Sequence, residues 1–154
     1  IIKTWIQCYE LNAMTCRFYN VYGPREPETG DYATVVRKFI RQFMNSEHLT
    51  IVGSGKQRRD FTHVYDIVDG LINTMQFGKQ GELYHLGRGV NYSINELADM
   101  FSGAHKKFVT KRKGEGEITL ADYETTFEKL GWRATRNLKD YINTKLGGQH
   151  ALNK

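Results

Sequence analysis

The chain has 154 residues, 40% of them hydrophobic and 25% charged, with only two prolines and no low-complexity tract, which describes one ordinary globular unit with room for a core. No apolar run approaches the roughly 18 residues of a membrane span and no basic-then-apolar leader opens it, so a soluble, cytoplasmic protein without membrane attachment is expected. Cys8 and Cys16 are too few for a disulfide framework, the five histidines are scattered and no metal is expected, while a net charge of +5 and a pI near 9.2 favour an anionic partner, either a phosphorylated small molecule or a nucleic acid.

Apolar side chains at positions 2, 5, 6 and 9 predict a helix over residues 2–11 with Asn12 as its stop. Residues 14–22 read as a buried strand ended by Gly23-Pro24. Asp31 is the expected N-cap of a helix whose inner face is Val35, Val36, Phe39, Ile40 and Phe43 and whose other face holds Arg37, Lys38 and Arg41. Short strands follow over 49–52 and 61–64. Asp66 is then expected to cap a helix through Met75, with Ile67, Leu71 and Ile72 turned inward. A strand over 82–86 precedes Ser93-Ile-Asn-Glu96, a capping box that opens a helix over 94–101. Residues 106–110 alternate as a strand, 126–130 form a short helix, and Asn137 caps a last helix stopped by Gly147-Gly148, leaving 149–154 as a tail. Strands alternating with helices indicate an α/β domain, too irregular for an autonomous doubly wound sheet.

The most informative stretch is Gly55-Lys-Gln-Arg-Arg-Asp-Phe-Thr-His-Val-Tyr-Asp66, which sets two guanidiniums at the entrance of a short strand. Guanidinium groups stay charged and match phosphate oxygens with planar forks, so Arg58-Arg59 suits a diphosphate; the same triplet with Asp60 also fits solvated surface with local pairing. Three G-x-G pairs, Gly53/Gly55, Gly87/Gly89 and Gly114/Gly116, lack the third glycine of a dinucleotide fingerprint, since Arg58, Tyr92 and Thr119 stand there. Gly55-Lys56 fails as a P-loop end because Thr50 and Gln57 occupy its other key positions.

Together with Cys16-Arg-Phe-Tyr-Asn-Val-Tyr-Gly-Pro-Arg25, Lys111-Arg-Lys-Gly-Glu115 and Leu130-Gly-Trp132, that stretch resembles the extended short-chain dehydrogenase/reductase family, the NAD-dependent nucleotide-sugar epimerases and dehydratases. The resemblance implies the C-terminal substrate-binding domain of such an enzyme: residues 1–23 as the last helix and strand of a Rossmann domain, 24–148 as the nucleotide-sugar domain and 149–154 as a tail. It implies substrate-binding roles for Asn20, Arg58, Arg59, Arg112 and Glu115, the last with a ribose. The family's Tyr-x-x-x-Lys pair would fall just before Ile1, so no catalytic residue is expected in this chain, nor bound NAD, although the complete enzyme would use NAD. Tyr141 and Lys145 have the spacing but sit in the last helix, where an ordinary i, i+4 pair is expected. His63 reads as a core histidine.

A UDP-hexose 4-epimerase type is the expected function, the isolated chain being inactive. The alternative is a non-catalytic anion-binding or nucleic-acid-binding module using the basic run 105–113. The stripe of Ile2, Trp5, Ile6 and Tyr9 suggests a homodimer.

Overall fold

The computed structural model describes residues 1–30, 32–110, 114 and 116–150, without the side chains of 148–150. Among these residues the strands join in pairs. β1 (Thr15–Phe18) runs parallel to β6 (Leu83–Leu86), β2 (Val21–Tyr22) to β5 (Thr62–His63) and β3 (Leu49–Val52) to β8 (Lys106–Val109), whereas β4 (Arg58–Asp60) is antiparallel to β7 (Asn91–Ser93). Parallel strands need crossovers, and α2 (Val35–Met44) and α3 (Val64–Phe77) supply helical ones. The mixed α/β class expected from the alternation is the observed one.

Several boundaries differ from the sequence expectation. The segment 14–22 is two strands separated at Tyr19 and Asn20, and β1 is only half-buried, since Arg17 and Phe18 are exposed. α1 (Ile2–Tyr9) ends before Asn12, with Glu10 in the left-handed conformation, and buries none of its residues. The N-cap of α2 is Thr34, whose hydroxyl accepts from Arg37 N, while Asp31 lies outside the described residues. The expected strand 61–64 is shortened to β5, because Phe61 separates it from β4 and Val64 already belongs to α3, and Arg58 and Arg59 lie in β4, a strand of their own, rather than in a loop at its entrance.

Asp66 does not cap α3. His63 does, and burial instead commits Asp66 to Arg136, which reaches it through Nη1 (2.7 Å) and its backbone N–H (3.0 Å). Ile67 faces inward as expected, but Leu71 and Ile72 are 40% and 45% exposed; Gly70 and Thr74 take the inner positions. α4 (Ile94–Asp99) has the predicted capping box, with both reciprocal bonds made. α5 (Tyr123–Leu130) starts earlier than predicted because Asp122 caps it, and α6 (Leu138–His150) runs straight through Gly147 and Gly148, so the two glycines do not stop it.

The larger core stacks α2 (Val36, Phe39, Ile40) on β3 (Leu49, Ile51), α4 with its following turn (Leu97, Phe101) and α6 (Leu138, Ile142). The smaller core gathers Ile67, Tyr84, Leu86, Leu130 and Trp132. One polar contact locks the α2–β3 layer: buried Gln42 donates to Thr50 Oγ1 (2.7 Å) and accepts from Thr50 N (3.1 Å).

Asp60 joins the two cores to the loops between them. Its carboxylate is fully buried and accepts from the backbone N–H groups of Arg88 (3.0 Å), Gly89 (2.9 Å) and Ala121 (3.0 Å) and from Thr62 Oγ1 (3.2 Å). That convergence requires the glycines at 87 and 89. A Cβ on Gly87 would stand 2.2 Å from Ala121 Cβ and 3.1 Å from Asp60 Oδ2, and one on Gly89, at φ +74°, would meet the Tyr123 ring at 2.0 Å. This G-x-G pair therefore serves close packing around a carboxylate.

Asp60→Ala would leave buried backbone donors without acceptors at about 1–3 kcal/mol each, so urea unfolding should show a loss of roughly 3 kcal/mol or more. A loss below about 1 kcal/mol would mean that water replaces the carboxylate.

Candidate functional site

A pocket of about 250 Å³ opens beside β4, lined by Asn20, Ala33, Val35, Lys38, Thr50, Val52, Gln57, Arg59 and Ile94. Each wall has a cause in the fold. Asn20 follows the end of β1 and its Oδ1 accepts from Thr119 Oγ1 (2.9 Å). Thr50 is fixed by Gln42, Gln57 donates to Val52 O (2.8 Å), and Lys38 projects one turn into α2. Arg59 is half-buried, and its Nη1 donates to Arg58 O (2.9 Å) and Glu117 O (3.4 Å), which aims the guanidinium without neutralising it. Among the described residues two cations and no carboxylate line this pocket, and these residues give it a positive field in a partly desolvated space.

Arg58 is placed differently. Nε donates to Asn91 Oδ1 (2.8 Å), Nη2 donates to Asn91 O (2.9 Å), and Nη1 lies 2.9 Å from Glu96 Oε2, the carboxylate of the α4 capping box. The fold thus separates the two adjacent arginines, one into the strand pair and one into the pocket, as the alternation of a strand dictates. Arg58 also borders a second cavity of about 350 Å³ with Gly53, Ser54, Lys56, Gln57, Gly116, Glu117 and Ile118. Gln57 is common to both cavities. Arg112 and Glu115, the other residues singled out from the sequence, lie outside the described residues.

The Tyr141–Lys145 pair is not arranged for proton transfer. Tyr141 donates to Glu26 Oε1 (3.4 Å) and Lys145 Nζ stands 5.6 Å over its ring. Burial, followed by the charge of Glu26, pushes the phenol up to about 12, away from acid–base work near neutrality. Burial also raises Tyr19 and Tyr22. Of the basic run 105–113, Lys106 pairs with Asp99 (2.5 Å), Lys107 and Phe108 are exposed on β8, and 111–113 lie outside the described residues. With Gly87 and Gly89 packed on Ala121 and Tyr123, and Gly55 closed by Asn95, neither pair forms a dinucleotide cradle.

Sequence reasoning missed Thr119, Glu117 and Gln57, which shape the pocket, and read Lys38 only as an exposed helix face. Thr119 also accepts from Asp60 N (3.2 Å), and Thr119 N donates to Arg58 O (3.1 Å), so the segment 117–119 ties Asn20, Arg58, Arg59 and Asp60 together. The alternation of Ile118 and Thr119 after a glycine-rich turn is the one signal that could have marked it as strand-like.

A sequence profile of the NAD dependent epimerase/dehydratase family matches residues 1–87. The chain is 31% identical over 146 residues to a putative UDP-glucose 4-epimerase of Methanocaldococcus jannaschii, covering 92% of this chain and 47% of that protein. It is 40% identical over 82 residues to a UDP-N-acetyl-alpha-D-glucosaminuronate decarboxylase of Bacillus cytotoxicus, covering 53% of this chain and 25% of the relative. The crystal structure of a UDP-glucose 4-epimerase with UDP-glucose from Thermotoga maritima superposes with a TM-score of 0.88 at 26% identity, over 99% of this chain and 50% of that one. The chain thus spans about half the length of the M. jannaschii relative and of the T. maritima enzyme.

His63, the N-cap of α3, is 6% exposed, with Nδ1 accepting from Tyr65 N (3.2 Å). Accepting requires a bare Nδ1, and burial, the largest cause, holds the imidazole below its ordinary 6.5, opposed by Asp66 and assisted by Arg136. The folded state takes up a proton less readily than the unfolded one, so the His63 contribution is intact above 6.5 and is lost as pH falls below it through the depressed folded value. His63→Asn keeps a capping side chain without the titration. Urea titrations between about pH 7.5 and 5 should show stability falling faster in the wild type than in the variant; parallel curves would contradict a neutral His63.

Proposed function

Because this chain belongs to the NAD dependent epimerase/dehydratase family, we propose that it binds a nucleotide sugar by its diphosphate, with a UDP-hexose as ligand and 4-epimerisation as the activity of the whole protein. The observation that carries this is the pocket that Arg59 and Lys38 both line, with no carboxylate among its described lining residues. A diphosphate bridge carries negative charge on both phosphates, and a guanidinium fork with a nearby ammonium answers it by charge-assisted hydrogen bonds. The Asn20 amide supplies a further donor at the end of a strand, where open α/β sheets place ligands.

In this assignment Arg59 grips the diphosphate, Asn20 and Lys38 flank it, and Arg58 borders the adjoining cavity as a helper while holding β4 to Asn91. The nucleoside extends past Gln57 into the larger cavity, one wall of which is Gly116, the chain neighbour of Glu115. Arg112 would then meet a phosphate and Glu115 the ribose. UDP is favoured because the M. jannaschii relative and the T. maritima structure are named for UDP-glucose epimerisation.

Residues 24–148 form the nucleotide-sugar domain, and residues 1–23 belong to the cofactor domain. Holding NAD and exchanging a proton fall to residues other than these, so the chain by itself binds without turnover. Exposed Ile2, Trp5 and Tyr9 on α1 favour self-association of the complete protein.

Isothermal titration should show saturable UDP binding that weakens about tenfold or more in Arg59→Ala and severalfold in Lys38→Ala, about 1.4 kcal/mol per factor of ten. Binding that is absent, unchanged by Arg59→Ala, or displaced by a short oligonucleotide would refute the assignment.

A further inference from the structure

Glu26 lies outside the pocket, on the loop between β2 and α2, yet it is tied to two elements that shape the pocket's wall. One carboxyl oxygen accepts from Thr34 Oγ1, the hydroxyl that caps α2 by accepting from Arg37 N (3.1 Å). The other accepts from the phenol of Tyr141 on α6 (3.4 Å). Ala33 and Val35, the chain neighbours of Thr34, line the pocket, and so does Lys38, whose N–H donates to Thr34 O (2.9 Å). One carboxyl group therefore stands between the last helix and the residue from which the wall is built.

We propose that Glu26 is a positioning residue for the phosphate pocket, fixing the first turn of α2 against α6 so that Lys38 and the 33–35 backbone stand opposite Arg59. This rests on that pocket being the diphosphate site. Arg37, already paired with Glu28, and Lys145 border the small cavity of about 150 Å³ around Glu26, together with Arg25, Gly23 and Pro24. The loop residues from 27 to 32 are exposed where described, so burial does not order them. The link between Thr34, Glu26 and Tyr141 supplies a tether that apolar packing does not. Burial raises the Glu26 carboxyl above its usual range, and Tyr141 keeps its proton up to about 12, so the phenol stays a donor at neutral pH.

The test compares full-chain wild type, Glu26→Ala, Glu26→Gln and Tyr141→Phe by UDP titration and by amide hydrogen exchange without ligand. Glu26→Ala should weaken UDP about tenfold. It should also speed exchange at Arg37 and Lys38 about tenfold while the amides of β3 and α4 keep their protection. Tyr141→Phe should do the same to a smaller degree and stands in if Glu26→Ala does not fold. Glu26→Gln, able to accept from Tyr141 and to donate to Thr34, should bind within about twofold of wild type.

Uniformly faster exchange with unchanged UDP affinity would make Glu26 a general stabiliser and overturn the proposal. So would a Gln variant as impaired as the Ala variant. If the wild type fails to bind UDP, the diphosphate assignment falls, and exchange at Arg37 and Lys38 alone then decides whether Glu26 holds this wall.

Discussion

A buried carboxylate must be met by donors, and at Asp60 the donors are the backbone of two distant loops. The residues after β6 and the residues before α5 are drawn to the same pair of oxygens, while the Asp60 backbone N–H reaches Thr119. With several charge-assisted bonds in a dry site, small displacements of any partner are opposed strongly. The segment 117–119 is held in register beside β4, and through it Asn20 and Arg59 acquire fixed positions. The site is thus built by backbone convergence on one side chain, with the pocket-lining groups at its edge.

That construction explains why adjacent arginines have unlike fates. In a strand, successive side chains leave on opposite sides. Arg58 finds Asn91 and Glu96 across the β4–β7 pair and completes a local network, whereas among the described residues Arg59 is steadied by carbonyl oxygens alone. Carbonyl partners orient a guanidinium but leave its charge uncompensated, and Lys38 adds a second such charge from α2. On the proposed reading, an anion entering the pocket supplies the counter-charge that the described lining residues do not. Tyr141, bonded to Glu26 and pushed upward by burial, fits packing rather than acid–base work near neutrality.

Much of this was legible in the residues. The capping box at Ser93 and Glu96 is short-range chemistry and formed as read, and the alternating burial of Leu49 and Ile51 matched the period of a strand. The departures share a physical reason, in that tertiary partners overrode local preference. Asp66 has the chemistry of an N-cap, but a buried position beside Arg136 uses its carboxylate, and His63 caps in its place. Leu71 and Ile72 are apolar at helical spacing, yet Gly70 takes the inner position because a Cβ there would stand 2.9 Å from Leu86. Asp60 read as part of a locally paired Arg-Arg-Asp triplet, and its backbone N–H partners lie 28, 29 and 61 residues away, a relation no local pattern encodes. The motif resemblance brought Asn20 and Arg59 forward together, and the fold sets both on one pocket, while Lys38, Gln57 and Thr119 emerge only from the packing.

The central claim is a division of labour between neighbouring guanidiniums around a platform organised by Asp60. It is tested most directly by following the Arg58 and Arg59 Nε–H resonances and the Asn20 side-chain amide by ¹⁵N NMR during a UDP titration. The account predicts that Arg59 and Asn20 shift together along one saturation curve and by more than Arg58, which is hydrogen-bonded to Asn91 and borders only the cavity assigned to the nucleoside. A titration in which Arg58 moves and Arg59 does not would contradict it.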